Sequence, residues 1–143
     1  MSAADLVARV TDGWEADPAS DVVWAGDHEG RRGVRMRQTV RDFTTVWFQV
    51  GERTVGVEAY VLPAPPPGPG GEEAYRQCLT RNYGTRRIHF ALDREDGLVL
   101  IGRIPVGELS DEEMELALGE VYSLVEASFR SLLAAGFGRE KNG

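Results

Sequence analysis

Two histidines, one cysteine and several groups of carboxylates are the residues of this chain that could do chemistry, and their spacing decides which chemistry is open to them. Asp27-His28-Glu29 sets three candidate metal ligands side by side. Neighbouring side chains seldom converge on one ion, and His89 stands far away in the chain, so a solvated loop accounts for the run and no metal is expected. Cys78 and His89 could form a nucleophile and base. The cysteine, however, adjoins Leu79 on the apolar side of a helical segment, the place of a small packed hydrophobe. Asp93, Glu95 and Asp96 fall in a hairpin loop, while Asp111, Glu112, Glu113 and Glu115 open a helix, where carboxylates favour the N-terminal dipole. There is no phosphate-cradling glycine loop, no G-x-S-x-G elbow and no H-E-x-x-H pair. No catalytic residue, no cofactor and no enzymatic activity is expected.

Arg35, Arg37 and Arg41 could form an anion-binding stripe. In a chain of net charge −7 and pI about 4.9, pairing with carboxylates such as Glu58 on an adjacent strand is the simpler expectation. The same charge disfavours nucleic acid and anionic membranes as partners. The 143 residues, 42% of them hydrophobic, suit one domain spanning 1–143, and all 16 basic residues except Lys141 are arginine. A single cysteine excludes an intramolecular disulfide and fits a reducing compartment. The first residues, Met1 to Asp5, carry neither a basic nor an apolar leader, and no stretch approaches the roughly 18 apolar residues of a membrane span. A cytoplasmic protein is expected.

The elements that would position these residues follow from hydrophobic period. Ser2 and Asp5 bracket the start of a helix running to about Trp14, with Leu6, Val7, Val10 and Trp14 on one face. Asp21 to Gly33 reads as loop. From Val34 the period is two: Val34 to Arg41, Phe43 to Val50 and Arg53 to Leu62 predict a three-stranded antiparallel meander with a short turn at Gly51-Glu52. Pro63 to Gly71 is proline- and glycine-rich and reads as a connecting loop, either a spacer or a ligand for an aromatic-lined domain. Glu72 to Tyr83 predicts a second helix, followed by strands over Arg86 to Asp93 and Leu98 to Ile104. The latter strand is apolar on both faces and belongs inside the sheet or at an interface. Ser110 and Glu113 form a capping-box pattern ahead of a last helix, for which Ala135-Gly136-Phe137 suggests a glycine cap. The predicted class is α+β, one antiparallel sheet with helices packed on it, in the order α-β-β-β-α-β-β-α.

This alternation leaves Phe43, Trp47 and Tyr60 on the side of the meander away from Val46, Phe48, Val55 and Val57. Large aromatics among Arg and Thr compose a contact patch. They could bind a partner, or be covered by the 63–71 loop, by the N-terminal helix or by a second subunit. A non-enzymatic protein-binding module follows. The rival is a small-ligand binder or cryptic hydrolase with its site between the sheet and the 21–33 loop, using Asp27, His28 and Arg35; a structural subunit of a larger assembly is a third option.

Four stretches together resemble the YbjN-like family, a branch of the type III secretion chaperone-like fold: Phe43-Thr44-Thr45-Val46-Trp47-Phe48-Gln49-Val50-Gly51-Glu52-Arg53-Thr54-Val55, Glu58-Ala59-Tyr60-Val61-Leu62-Pro63-Ala64-Pro65, Phe90-Ala91-Leu92-Asp93 and Gly102-Arg103-Ile104-Pro105. The resemblance covers about residues 34–137. It implies the same element order, a small acidic cytoplasmic homodimer, and a chaperone-like or regulatory protein that holds an extended segment of a partner protein or peptide. By that likeness the dimer interface would draw on the central helix and the strands after it, through Tyr75, Leu79, Ile88, Phe90, Val99 and Ile101. The family supplies no catalytic motif, and the fold alone carries no secretion role.

Overall fold

A computed structural model describes residues 1–138; positions 139–143 of the expected domain lie outside the described residues. The elements are α1 (Ala3–Ala16), β1 (Val22–His28), β2 (Arg31–Arg37), β3 (Phe43–Val50), β4 (Thr54–Pro63), α2 (Pro69–Asn82), β5 (His89–Leu92), β6 (Gly97–Pro105), a 3-10 turn at Val106–Glu108, and α3 (Asp111–Phe137). All strand pairings are antiparallel, in one six-stranded sheet of order β1-β2-β3-β4-β6-β5. The α+β class and the succession of helix, meander, helix, two strands and helix are as expected, with one further strand at the front.

That strand corrects the reading of residues 21–33 as loop. Glu29 and Gly30 both take positive φ, 50° and 79°, the conformation of a two-residue hairpin turn, and Asp27 and His28 pair with Arg32 and Arg31. Glu-Gly is a weaker hairpin signal than Asn-Gly or Asp-Gly. The strand is also an edge whose polar end does not alternate with apolar residues, so period two is lost.

Two further boundaries move. Pro63 closes β4 opposite Gly97, and Pro69-Gly70-Gly71 is the first turn of α2, leaving only residues 64–68 as loop. Proline suits both the end of a strand and the first helical position, where its missing N–H leaves no gap in the ladder. At the start of α3, Ser110 accepts the Glu113 N–H at 3.1 Å, but the Glu113 carboxylate turns to Arg86 and Arg87 instead of completing the box. At its end Gly136 stays helical beneath Pro65, and the cap is Gly138, at φ 64°. The α1 capping box between Ser2 and Asp5 forms as expected.

All three helices pack on one face of the sheet. Val7, Val10, Ala74, Met114, Val121 and Leu132 meet Val34, Val46, Phe48, Val57 and Leu100 in one buried cluster. The doubly apolar β6 lies between β4 and β5, inside the sheet. Two carboxylates of α3 latch the connections to it. Glu120 accepts the backbone N–H groups of Arg86, Arg87 and Ile88 at 2.6, 2.9 and 2.7 Å. Glu126 accepts the Thr39 N–H at 2.9 Å, the Gln38 amide at 2.6 Å and the Thr39 hydroxyl.

Candidate functional site

The other face of the sheet carries no helix among the described residues, and strand alternation sends the aromatics there. Trp47 of β3 pairs with Gly33 of β2, which pairs with Gly26 of β1. A Cβ on Gly26 would meet the Trp24 ring at 2.7 Å. Bare backbone at both glycines therefore lets two indoles lie against the sheet, edge to face with centroids 6.4 Å apart. Arg31 stacks 4.7 Å above the Trp47 ring, and Arg35 stands 5.8 Å from the Phe43 ring. Phe43 and Tyr60 are about half exposed, at 45% and 52%.

Trp47 divides this face into two shallow depressions. One, about 210 Å³, is floored by Gly56 and rimmed by Arg31, Gln49, Glu58, Ile101 and Arg103. The other, about 400 Å³, is lined by Trp24, Asp27, His28, Arg35 and Thr45. The expected patch residues Phe43, Trp47 and Tyr60 thus share one face, and neither the proline loop nor α1 covers them. Trp24 joins them without a signal in the sequence, because its strand does not alternate apolar and polar residues.

Asp27, His28 and Arg35 also come together, at the second depression. No nucleophile–base pair is assembled among them: His28 reaches Glu29 at 3.8 Å, and Asp27 faces Arg32 at 3.5 Å. Among the described residues no group of three or more His, Cys, Asp or Glu side chains is placed to hold a metal. Cys78 is buried in the core cluster, where burial pushes its thiol up to about 11, while His89 is exposed on β5.

The expected Arg–Glu58 pairing does not form. Arg37 turns to Asp21 at 3.9 Å and the Ser20 carbonyl at 3.1 Å. Arg41 lies beyond β2 and folds inward, donating to the Val61 and Tyr60 carbonyls at 2.6 and 2.8 Å and lying 5.1 Å from the Phe129 ring. Glu58 is not on a strand next to β2: β3 lies between them and sets Trp47 opposite Glu58. Arg41 turns inward to carbonyls at a bulge in β4 between Tyr60 and Leu62.

Of the residues assigned to a dimer interface, Ile88, Phe90 and Val99 are at most 5% exposed within one chain, whereas Leu79 is 70% exposed. Tyr75 and Ile101 are partly buried. Tyr75 and Leu79 line an apolar groove of about 240 Å³ between α2 and the edge strand β5, with Phe90 and Leu92 on its other side. Asn82 bridges that edge: its amide donates to the Phe90 carbonyl at 3.1 Å and its oxygen accepts the Phe90 N–H at 2.7 Å.

No helix among the described residues is long and apolar enough to cross a membrane. The chain is similar to uncharacterized protein ML2442 of Mycobacterium leprae, 33% identical over 94 residues, covering 66% of this chain and 50% of that protein. It is also similar to uncharacterized protein Rv0487 of Mycobacterium tuberculosis, 33% identical over 90 residues, covering 63% and 48%. The chain spans about half the length of these relatives. Among solved structures, a chain in the crystal structure of the ExsC–ExsE complex superposes with a TM-score of 0.63 at 19% identity, covering 92% of this chain and 97% of that one, which shows a common fold. The fold is type III secretion chaperone-like, and a family model described as "Putative bacterial sensory transduction regulator" matches residues 12–134: the chain belongs to the YbjN family.

Proposed function

We propose that this chain is a non-catalytic, chaperone-like or regulatory protein-binding module, acting in the cytoplasm as a homodimer that holds an extended segment of a partner protein on the open sheet face. The observation that carries the reading is the placement of all three helices on one side of the sheet, with Trp24, Phe43, Trp47 and Tyr60 on the other. A surface of that composition supplies the aromatic anchors that dominate protein interfaces. The family's description as a regulator and the occurrence of this fold in a two-protein complex support the same reading. For the homodimer, the α2–β5 groove is the supporting feature. Because Asn82 already occupies the outward backbone groups of Phe90, a second copy would pack on Leu79, Tyr75 and Leu92 by side chains and not by extending the sheet.

A photocrosslinking residue at position 60 tests the partner face. Recovery of one stoichiometric protein, lost in Trp47→Ala with the fold intact, is the expected result; crosslinks to nothing in both samples would overturn it. Sedimentation tests the homodimer, with Leu79→Asp expected to give a monomer. A second reading, a small-ligand site, rests on the gathering of Trp24, His28 and Arg35 around one depression. Uptake of a small molecule from cell extract that Arg35→Ala abolishes and Tyr60→Ala spares would favour it.

A further inference from the structure

We propose that the segment held on the open face is acidic, with two carboxylates about four residues apart flanking an apolar residue. This rests on the protein-binding reading above and adds the chemistry of the partner. Gly56 pairs with Gln49 on one side and with Arg103 on the other, and Arg31 of β2 lies one residue beyond the Arg32–Phe48 pair, level with Gln49. Arg31, Gln49, Gly56 and Arg103 therefore form one row across four adjacent strands, and these side chains rim the Gly56-floored depression. The neighbouring row, Trp47, Glu58 and Ile101, forms its wall.

Charge decides what fits there. Arg31 and Arg103 stand at the two ends of the row, and among the described residues neither has a carboxylate within ion-pair distance. Arg35, a further unpaired cation, lies on the same face, while Glu58 is the only carboxylate of the depression. A chain of net charge −7 thus keeps free arginines on its open sheet face, where Arg31 and Arg35 lie over aromatic rings and still present N–H donors. The screening length of about 8 Å at physiological salt lets this local field act despite the overall charge. Three strand spacings of about 4.8 Å separate β2 from β6, so the arginines stand on the order of 14 Å apart, a distance that about four residues of extended chain span. The bare Gly56 between them leaves room for an apolar side chain against Trp47 and Ile101.

The test is selection of random displayed decapeptides on the full chain, with dissociation constants of the enriched peptides then measured on variants. Enriched sequences should carry Asp or Glu at positions i and i+4 around an apolar residue. Arg31→Gln and Arg103→Gln should each weaken them about tenfold, and Glu58→Gln should not weaken them. Enriched sequences that depend on Trp47 but show no acidic pattern, or that ignore both arginine substitutions, would overturn this inference and leave the protein-binding reading standing. No enrichment above a Trp47→Ala control would overturn both. Binding of a twelve-residue oligothymidylate probe at the same arginines, in place of acidic peptides, would also overturn the inference.

Discussion

Gly33 and Trp47 face each other across β2 and β3, and a Cβ on Gly33 would stand 2.5 Å from the Trp47 ring. The glycine is what allows the indole to lie flat on the sheet. Its φ is not positive, so alanine is acceptable to the backbone and the clash falls on side chains, hardest on the Trp47 ring and then on the Trp24 ring at 3.0 Å. Gly33→Ala should lift Trp47 off the sheet, shift tryptophan fluorescence, and reduce partner binding as Trp47→Ala does, by about 2 kcal/mol. Unchanged fluorescence and affinity would separate the glycine from the site.

Arg41 fills the acceptors left by the β4 bulge, and its guanidinium also meets the Thr44 hydroxyl at 3.2 and 3.3 Å. Burial lowers its pKa, but it stays charged. Arg41→Met would keep the packing on Phe129 and strip those carbonyls of a donor. We expect a loss of about 2 kcal/mol in urea unfolding, with partner binding by the folded fraction unchanged.

Cys78 is buried in α2 with its thiol pushed up to about 11 by desolvation. The nucleophile is the thiolate, so the native protein should be inert to a disulfide reagent at pH 8 and react fully once urea unfolds it. Rapid reaction in native buffer would show that α2 opens easily.

The Glu126 carboxyl is held below its ordinary value of 4.5, first by hydrogen bonds from the Thr39 side chain and backbone; that of Glu113 is lowered mainly by Arg86. A carboxyl lowered in the folded state stabilises above its unfolded value, and that contribution disappears as pH falls through the folded value. The urea midpoint should therefore hold near neutrality and decline as pH drops below about 4.5. Glu126→Gln should start lower and decline less steeply over that window, because the lost proton linkage is its own.

Local chemistry made much of this protein legible from its residues. Ser2 and Asp5 announce α1, and Val55, Val57, Ala59 and Val61 announce the buried face of β4, because capping and alternation are settled by near neighbours. The same alternation put Phe43, Trp47 and Tyr60 on one side. Two kinds of feature were not legible. The hairpin at Asp27 to Gly30 is local, but its Glu-Gly turn is a weak signal and its edge strand does not alternate. Glu113 leaves its capping box for arginines 27 and 26 residues away, which no local pattern announces.

Sequence by itself determined the types of every helix and strand except β1, the α+β class, the lack of recognised catalytic motifs and the family likeness, since period, capping and motif are all written locally. Only the tertiary structure decided that the three helices share one face, that Trp24 joins Trp47 over paired glycines, and that Ile88, Phe90 and Val99 are spent inside the chain while Leu79 is not. Which cations go unpaired was likewise settled in three dimensions. Arg41 finds carbonyls at a bulge and Arg37 finds Asp21, but Arg31 and Arg103 stand at opposite ends of a row whose members meet only when four strands align. Strand order and register are set by burying one face of the whole sheet at once, and no window of the chain contains that information.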